Sequence, residues 1–224
     1  MDILIIIPAR GGSKRIPKKN IALLAGKPLL AYTLEAIKET NLADNVIVST
    51  DDDDIAATVA RAGVRALHRP KEICVDNAST ESALLHALHT VREEGYFPDW
   101  IMTLPPTSPF RTAEIIRRFV EALDCVAQDI DCIMSVTENR GDFWLYDADG
   151  QFRRLFPDAP RRQQDRQPLF EENSALYLTR TTALESTGSI LGCKVLGIPI
   201  SAIEGFDINT PEDLKLADAI MRRN

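Results

Sequence analysis

The chain has 224 residues, 45% of them apolar, enough to bury a sizeable core and suited to one domain, or one domain with an excursion, rather than two. A formal net charge of −7 repels a polyanion at long range, so no nucleic-acid partner is expected. Only the apolar run Ile3 to Ile7 precedes Pro8, too short for a signal peptide or a membrane span, which predicts a cytoplasmic protein with no membrane partner.

In chain order, Ile3 to Ile7 reads as a central strand covered on both faces. A helix follows with Pro28 in its first turn and Leu29, Tyr32, Leu34 and Ile37 at helical spacing, then a strand at Val46 to Ser49. Asp51 to Arg61 reads as an acid-led helix, Val64 to Leu67 as a strand, Thr80 to Arg92 as a helix and Trp100 to Leu104 as a strand. Thr112 is placed to cap a helix carrying Ile115, Phe119 and Leu123, with a strand at Cys132 to Val136 after it. From Arg140 to Asn173 the periodicity stops, and aromatic, proline and charged residues suggest an excursion. Strands at Ala175 to Leu178 and Lys194 to Ile200 follow, and Thr210 with Pro211 opens a last helix through Leu214, Ala217 and Met221. Strands alternating with helices predict an α/β fold, a mostly parallel sheet with helices on both faces, as a single domain over residues 1–224.

Four cysteines, Cys74, Cys125, Cys132 and Cys193, form no CxxC pair and have no histidines at zinc-ligand spacing, which predicts reduced, mostly buried thiols. His68, His86 and His89 belong to no recognisable motif, and no general base is assigned. Basic residues gather in two short stretches, Arg10 to Lys19 and Arg153 to Arg166, as if for two anionic contacts. The first stretch leaves the end of the first strand, where ligands of open α/β sheets bind. Gly11 and Gly12 permit positive φ and close backbone approach, so N–H groups of Ala9 to Lys14 can surround an anion, with Arg10 and Lys14 adding charge. The spacing is neither GxGxxG nor GxxxxGK[ST], which argues against a dinucleotide or Walker-type site.

Ile5 to Asn20, Ser49-Thr50-Asp51-Asp52, Leu104 to Arg111, Asn173 to Tyr177 and Asp207 to Leu214 together resemble, in order, the acylneuraminate cytidylyltransferase family. The resemblance implies a nucleotide-diphospho-sugar transferase-like fold that joins CMP from CTP to a sialic-type 2-keto-3-deoxy sugar acid, with Mg²⁺, releasing pyrophosphate. It places the triphosphate on Arg10, Ser13 and Lys14, with Arg10 and Lys14 as catalytic cations, and Asn20 near the ribose. Arg69 and Thr80, the latter within Asp76-Asn77-Ala78-Ser79-Thr80, fall where the family surrounds the cytosine. Arg69 also reads as a surface cation, and Thr80 as a helix cap. Arg162, Gln163 and Tyr177 face the sugar by resemblance, with Arg161 an alternative to its neighbour. Asp207 and Asn209 occupy the metal position, where the family usually has Asp-x-Asp. The excursion resembles a dimerisation segment, which implies a homodimer, although Phe143, Trp144, Phe152 and Phe156 would also form a satellite core within one chain.

Pro105 stands where many members have glutamine, Ser174 where glycine is usual and Arg15 where glycine is common. These departures point to a changed sugar pocket, for pseudaminate, legionaminate, Kdn or a Kdo-like acid. Two other readings stay open: a sugar-1-phosphate nucleotidyltransferase using another base, and a non-catalytic nucleotide-binding protein.

Overall fold

The structure, a computed structural model, describes residues 1–74 and 79–223. Its strands are β1 (Ile3–Pro8), β2 (Leu23–Leu24), β3 (Lys27–Pro28), β4 (Val46–Thr50), β5 (Arg65–His68), β6 (Trp100–Thr103), β7 (Cys132–Asn139), β8 (Trp144–Tyr146), β9 (Phe152–Arg154), β10 (Leu169–Arg180) and β11 (Val195–Ile200). The helices are α1 (Leu29–Lys38), α2 (Asp53–Arg61), α3 (Thr80–Glu93), α4 (Ala113–Ala122), α5 (Thr181–Thr187) and α6 (Pro211–Met221). The main sheet has the order β11-β7-β10-β6-β1-β4-β5. β1 runs parallel to β4 and β6, β4 to β5, and β11 to β7, whereas β10 is antiparallel to both β6 and β7. The mostly parallel sheet expected from the alternation is therefore present, with one reversed strand inside it.

Burial follows the pleat of β1. Ile3, Ile5 and Ile7 pack with Leu30 and Leu34 of α1, Ile55 of α2 and Phe119 of α4. Leu4 and Ile6 pack on the other face with Leu84 and Leu88 of α3 and Leu184 of α5. Covering on both faces explains why β1 is apolar at every position rather than at alternate ones. A third cluster, Ile16, Leu24, Leu29, Ile208 and Ala217, lies under α6 and joins the segment after β1 to the C-terminal helix.

Several boundaries differ from expectation for local reasons. The Asp52 carboxylate accepts from the N–H groups of Asp54 and Ile55, so α2 starts at Asp53 and Asp51 is left outside it. Ser79 caps α3 by accepting from Ser82, so Thr80 is the first helical residue and not the cap. β10 begins at Leu169, within the expected excursion, because its register shifts between Glu172 and Tyr177 and breaks the alternation. Helix α5, which ends on Gly188 at φ 66°, was not expected, being only two turns long. The thiols are less buried than expected: Cys132 is buried, Cys74 half-buried, and Cys125 and Cys193 exposed, all four free. Within the excursion, Trp144 and Phe152 stack at 5.1 Å between ring centroids across the β8–β9 hairpin, yet Trp144, Tyr146 and Phe152 all stay exposed. Among the described residues no helix is long and apolar enough to cross a membrane.

Thr210 and Asp213 form a reciprocal cap on α6: Thr210 Oγ1 accepts from the Asp213 N–H, and the Asp213 carboxylate accepts from the Asn209 and Thr210 N–H groups at 2.9 and 2.8 Å. Those backbone donors hold the Asp213 carboxyl below its ordinary value of 3.8. A depressed folded-state value means the stabilisation is present above the unfolded value and is lost as pH falls through the folded one. Asp213→Asn should therefore cost about 1 kcal/mol at neutral pH. In thermal melts from pH 7 downwards, the gap to wild type should narrow once the pH passes below 3.8.

Candidate active site

At the carboxyl edge of the parallel strands lies a cleft of about 600 Å³. It is lined by Pro8 and Arg10 after β1, Arg69 after β5, Ser79, Thr80 and Glu81 at the start of α3, Thr103 and Pro105 from β6 and its following loop, Ile190, and Glu172, Ser174 and Tyr177 of β10. The reversed β10 brings its early residues to the edge where the other strands end, so loops and a strand interior line one cleft.

The glycine segment is held at several points. Ala9 is fully buried and donates its N–H to the Ser49 carbonyl, and Asn20, also buried, donates its carboxamide to the Arg10 carbonyl at 2.8 Å. The Gly11 N–H donates to Asp51 Oδ1 at 2.9 Å, and the Ser13 N–H to the Gly11 carbonyl at 2.9 Å. Neither Gly11 nor Gly12 adopts the left-handed backbone that their sequence permitted; the residue that does so here is Lys18, at φ 49°. Gly11 is needed for another reason: a Cβ there would lie 2.6 Å from Asp52 Oδ2 and 2.7 Å from Asp52 Cβ. Ser13 is half-buried and Lys14 and Arg15 are exposed, on the solvent side of the loop.

Arg69 is a wall residue rather than a surface cation. Its guanidinium donates to the Ser49 hydroxyl and the Ser49 carbonyl, both at 2.9 Å. Burial lowers its pKa, the Asp51 carboxylate opposes that shift, and the nearby Arg10 adds to it. Two cations thus face one cleft, a charge arrangement that an anion would offset. His86 is pushed below its ordinary value by burial and then by Arg69, so it stays neutral at pH 7.

On the opposite wall, the Tyr177 hydroxyl donates to the Glu172 carboxylate and lies 3.1 Å from Ser174 Oγ. Burial, and then the hydrogen bond to Glu172, raise the Tyr177 pKa above its ordinary value, so the phenol acts as a neutral donor. Ser174 sits at φ 58°, in the left-handed region where a glycine would carry no steric cost. Glu172 was not singled out from sequence, because nothing in a strand of Glu-Glu-Asn shows which carboxylate the bulge turns into the cleft.

Asp207 and Asn209, in the segment before α6, do not line this cleft; the segment is tied instead to the end of the glycine loop. Lys19 Nζ donates to the Ile208 carbonyl at 2.8 Å, and burial lowers its pKa while Asp207 opposes the shift. The Asn209 carboxamide donates to Asp207 Oδ2 at 2.6 Å, and Asp207 Oδ1 is buried with no donor among the described residues. Arg162 and Gln163 are not brought to this cleft within one chain. They are exposed in a short turn of the excursion, and Gln163 instead lines a separate cavity with Glu138, Arg140 and Gln164. Asp76, Asn77 and Ala78 lie outside the described residues.

A sequence profile described as cytidylyltransferase matches residues 4–148. The chain belongs to the cytidylyltransferase family. It is 29% identical over 229 residues to a CMP-N,N'-diacetyllegionaminic acid synthase of Legionella pneumophila, covering all of this chain and 98% of the relative. It is 31% identical over 224 residues to an N-acylneuraminate cytidylyltransferase of Escherichia coli, of which it spans 52%. A pseudaminic acid cytidylyltransferase of Campylobacter jejuni is 28% identical, with 98% of its length covered. Among solved structures, a CMP:2-keto-3-deoxy-manno-octonic acid synthetase complexed with CTP superposes with a TM-score of 0.75 at 17% identity, covering all of this chain and 99% of that one. A cytidylyltransferase from Leptospira borgpetersenii gives 0.68 at 18% identity, covering 88% of that chain. At such identities the structures attest the fold, and the relatives bear out the resemblance read from the motifs.

The loop geometry separates the two glycines of this cytidylyltransferase. Gly11→Ala, forced against Asp52, should weaken CTP binding by about tenfold or more, whereas Gly12→Ala should change it by less than about threefold. The added methyl at Gly12 meets nothing within 4 Å. Calorimetric titration of both variants with CTP checks the contrast.

Proposed function

We propose that this cytidylyltransferase joins CMP from CTP to an acidic nine-carbon, sialic-type 2-keto-3-deoxy sugar acid and releases pyrophosphate. One observation carries the reading: a single cleft has Arg10 and Arg69 on one wall and the Glu172–Ser174–Tyr177 hydrogen-bonding group on the other. Cations suit a triphosphate, and a buried donor with polar neighbours suits a hydroxyl-rich acceptor. Relatives of nearly equal length whose names specify legionaminic and pseudaminic acids support an acceptor of that class.

In this mechanism the sugar's anomeric hydroxyl attacks the α-phosphorus and pyrophosphate leaves in line. The chain holds the two substrates together and neutralises charge on the phosphates. Arg10 and Lys14 supply that charge, with Lys14 able to swing in from the solvent side of the loop. Ser13 and the Arg10 to Gly12 backbone cradle the phosphates once the Gly11 N–H exchanges its Asp51 partner for phosphate oxygen, whereas Ala9, expected among the cradle residues, is buried with its N–H spent on the Ser49 carbonyl and only anchors the loop. Asn20 braces the loop beside the ribose, Arg69 and Thr80 border the base, and Tyr177 donates to the sugar. Arg162 and Gln163 would reach a sugar only across a subunit boundary. We accordingly favour a homodimer that covers the exposed Trp144, Tyr146 and Phe152 face.

The residues also fit Mg²⁺. Asp207 offers a buried oxygen without a donor, and Mg²⁺ retains several waters and needs few protein ligands. Asp207 would hold the ion, helped by Asn209 once its carboxamide turns from donor to acceptor. Bound there, Mg²⁺ supplies Lewis-acid stabilisation of phosphate charge.

Two sets of variants test this assignment. Lys14→Ala should lose about 10²-fold in kcat/KM with an unchanged fold by circular dichroism. Near-wild-type turnover would remove Lys14 from the phosphate site. In Mg²⁺ titrations at saturating CTP and sugar, Asp207→Ala should abolish metal-dependent turnover, and Asn209→Asp should lower the half-maximal Mg²⁺ concentration about fivefold. Identical curves for both variants and wild type would place the metal elsewhere.

A further inference from the structure

Arg111, to which no role has been given so far, is 3% exposed and lies between the two segments that border the acceptor side of the cleft. Its guanidinium donates to the Pro105 carbonyl through both terminal nitrogens, at 3.2 Å each, to the Ala175 carbonyl, and to Thr33 Oγ1 at 2.8 Å. Pro105 lines the cleft, and Ala175 directly follows Ser174, which lines it too. Among the described residues no carboxylate pairs with Arg111, and burial alone lowers its pKa, to about 9.

A buried cation without an acid is a costly way to fill a core position, and an apolar side chain of similar size is often as stabilising or more so. What an apolar side chain cannot do is bridge. The planar fork reaches two backbone carbonyls on separate segments and a helix hydroxyl at once, which one ammonium group cannot reproduce. The segment that it grips in β10 also needs holding, because the register is broken there and Ser174 is left-handed. Within the bulge the Asn173 carboxamide accepts from the Ala175 N–H at 3.1 Å, and from the β7 side Ser135 accepts from the Leu176 N–H at 2.9 Å. The loop carrying Pro105 reaches the Asp207 segment as well, since the Ile208 N–H donates to the Thr107 carbonyl at 2.9 Å.

We infer that Arg111 is a positioning residue for the acceptor: it sets the spacing between the Pro105 loop and the Ser174 bulge, and so the width of the sugar side of the cleft, without touching either substrate. The inference rests on the acceptor lying against β10, as proposed above.

The test uses Arg111→Met, Arg111→Lys and the milder Thr33→Val in the full chain, with separate KM values for CTP and sugar acid and with amide hydrogen exchange over residues 172–178. Both Arg111 variants should raise the sugar KM by about tenfold or more while the CTP KM moves by less than about threefold. Exchange at Ala175 and Leu176 should quicken, and lysine should not rescue. Thr33→Val, which removes one acceptor and leaves the carbonyl bridge, should raise the sugar KM by about two- to threefold and carries the test if the Arg111 variants do not fold. Equal changes in both KM values, or unaltered exchange over the bulge, would overturn the inference. Absence of turnover by wild type with every sugar acid would instead count against the proposed function, and the exchange measurement would still decide whether Arg111 holds the bulge.

Discussion

The arrangement of the cleft depends on one reversal, the antiparallel placement of β10 between β6 and β7. In a sheet of parallel strands, only the loops beyond the carboxyl ends meet a ligand. Reversing one strand brings its first half to that same edge, and the shifted register between Glu172 and Tyr177 turns side chains that would otherwise alternate into one wall. Tyr177 lies opposite Thr103, the last residue of β6, which places its phenol beside the Pro105 loop. The wall proposed for the acceptor is thus built from a strand, and its shape is as rigid as the sheet and the contacts that fix the bulge.

The opposite wall follows a different logic. Acidic residues, including the cap of α2, crowd the cationic glycine loop: Asp51 takes the Gly11 N–H, Asp52 abuts Gly11, and Lys18 pairs with Asp54. The Gly11 N–H and the Lys18 ammonium are thus already held by the chain's own carboxylates. In the proposed reading a triphosphate replaces those partners, its greater charge and number of oxygens favouring the exchange. Lys19 ties the far end of the loop to Ile208, so the glycine loop and the Asp207 segment are linked directly.

Much of this was legible in sequence where one physical rule governed the local structure. The apolar run of β1 and the Thr112 and Thr210 caps follow from burial and capping, and the structure places them as read, whereas the glycine loop leaves the strand end as expected but without positive φ at Gly11 or Gly12. Legibility failed where distant contacts decide. Asp51 and Asp52 look alike in sequence, yet one caps α2 and the other accepts from Gly11, 40 residues away. The start of β10 was hidden because a bulge erases the period-two pattern, and Glu172 and Arg111 acquire their surroundings from that bulge. Arg162 and Gln163 were assigned by resemblance alone, and no contact within one chain ties them to the cleft.

Transfer of the CMP group itself is the measurement closest to the central claim. Purified protein should be incubated with Mg²⁺, CTP labelled at the α-phosphorus, and legionaminic, pseudaminic, N-acetylneuraminic or 2-keto-3-deoxy-octonic acid in turn, with UTP and GTP as controls. The account predicts label in a sugar conjugate with at least one nine-carbon acid, one pyrophosphate released per conjugate, and little transfer from UTP or GTP. Binding of CTP with no label leaving it for any of these acids, or transfer only to the eight-carbon acid, would contradict it.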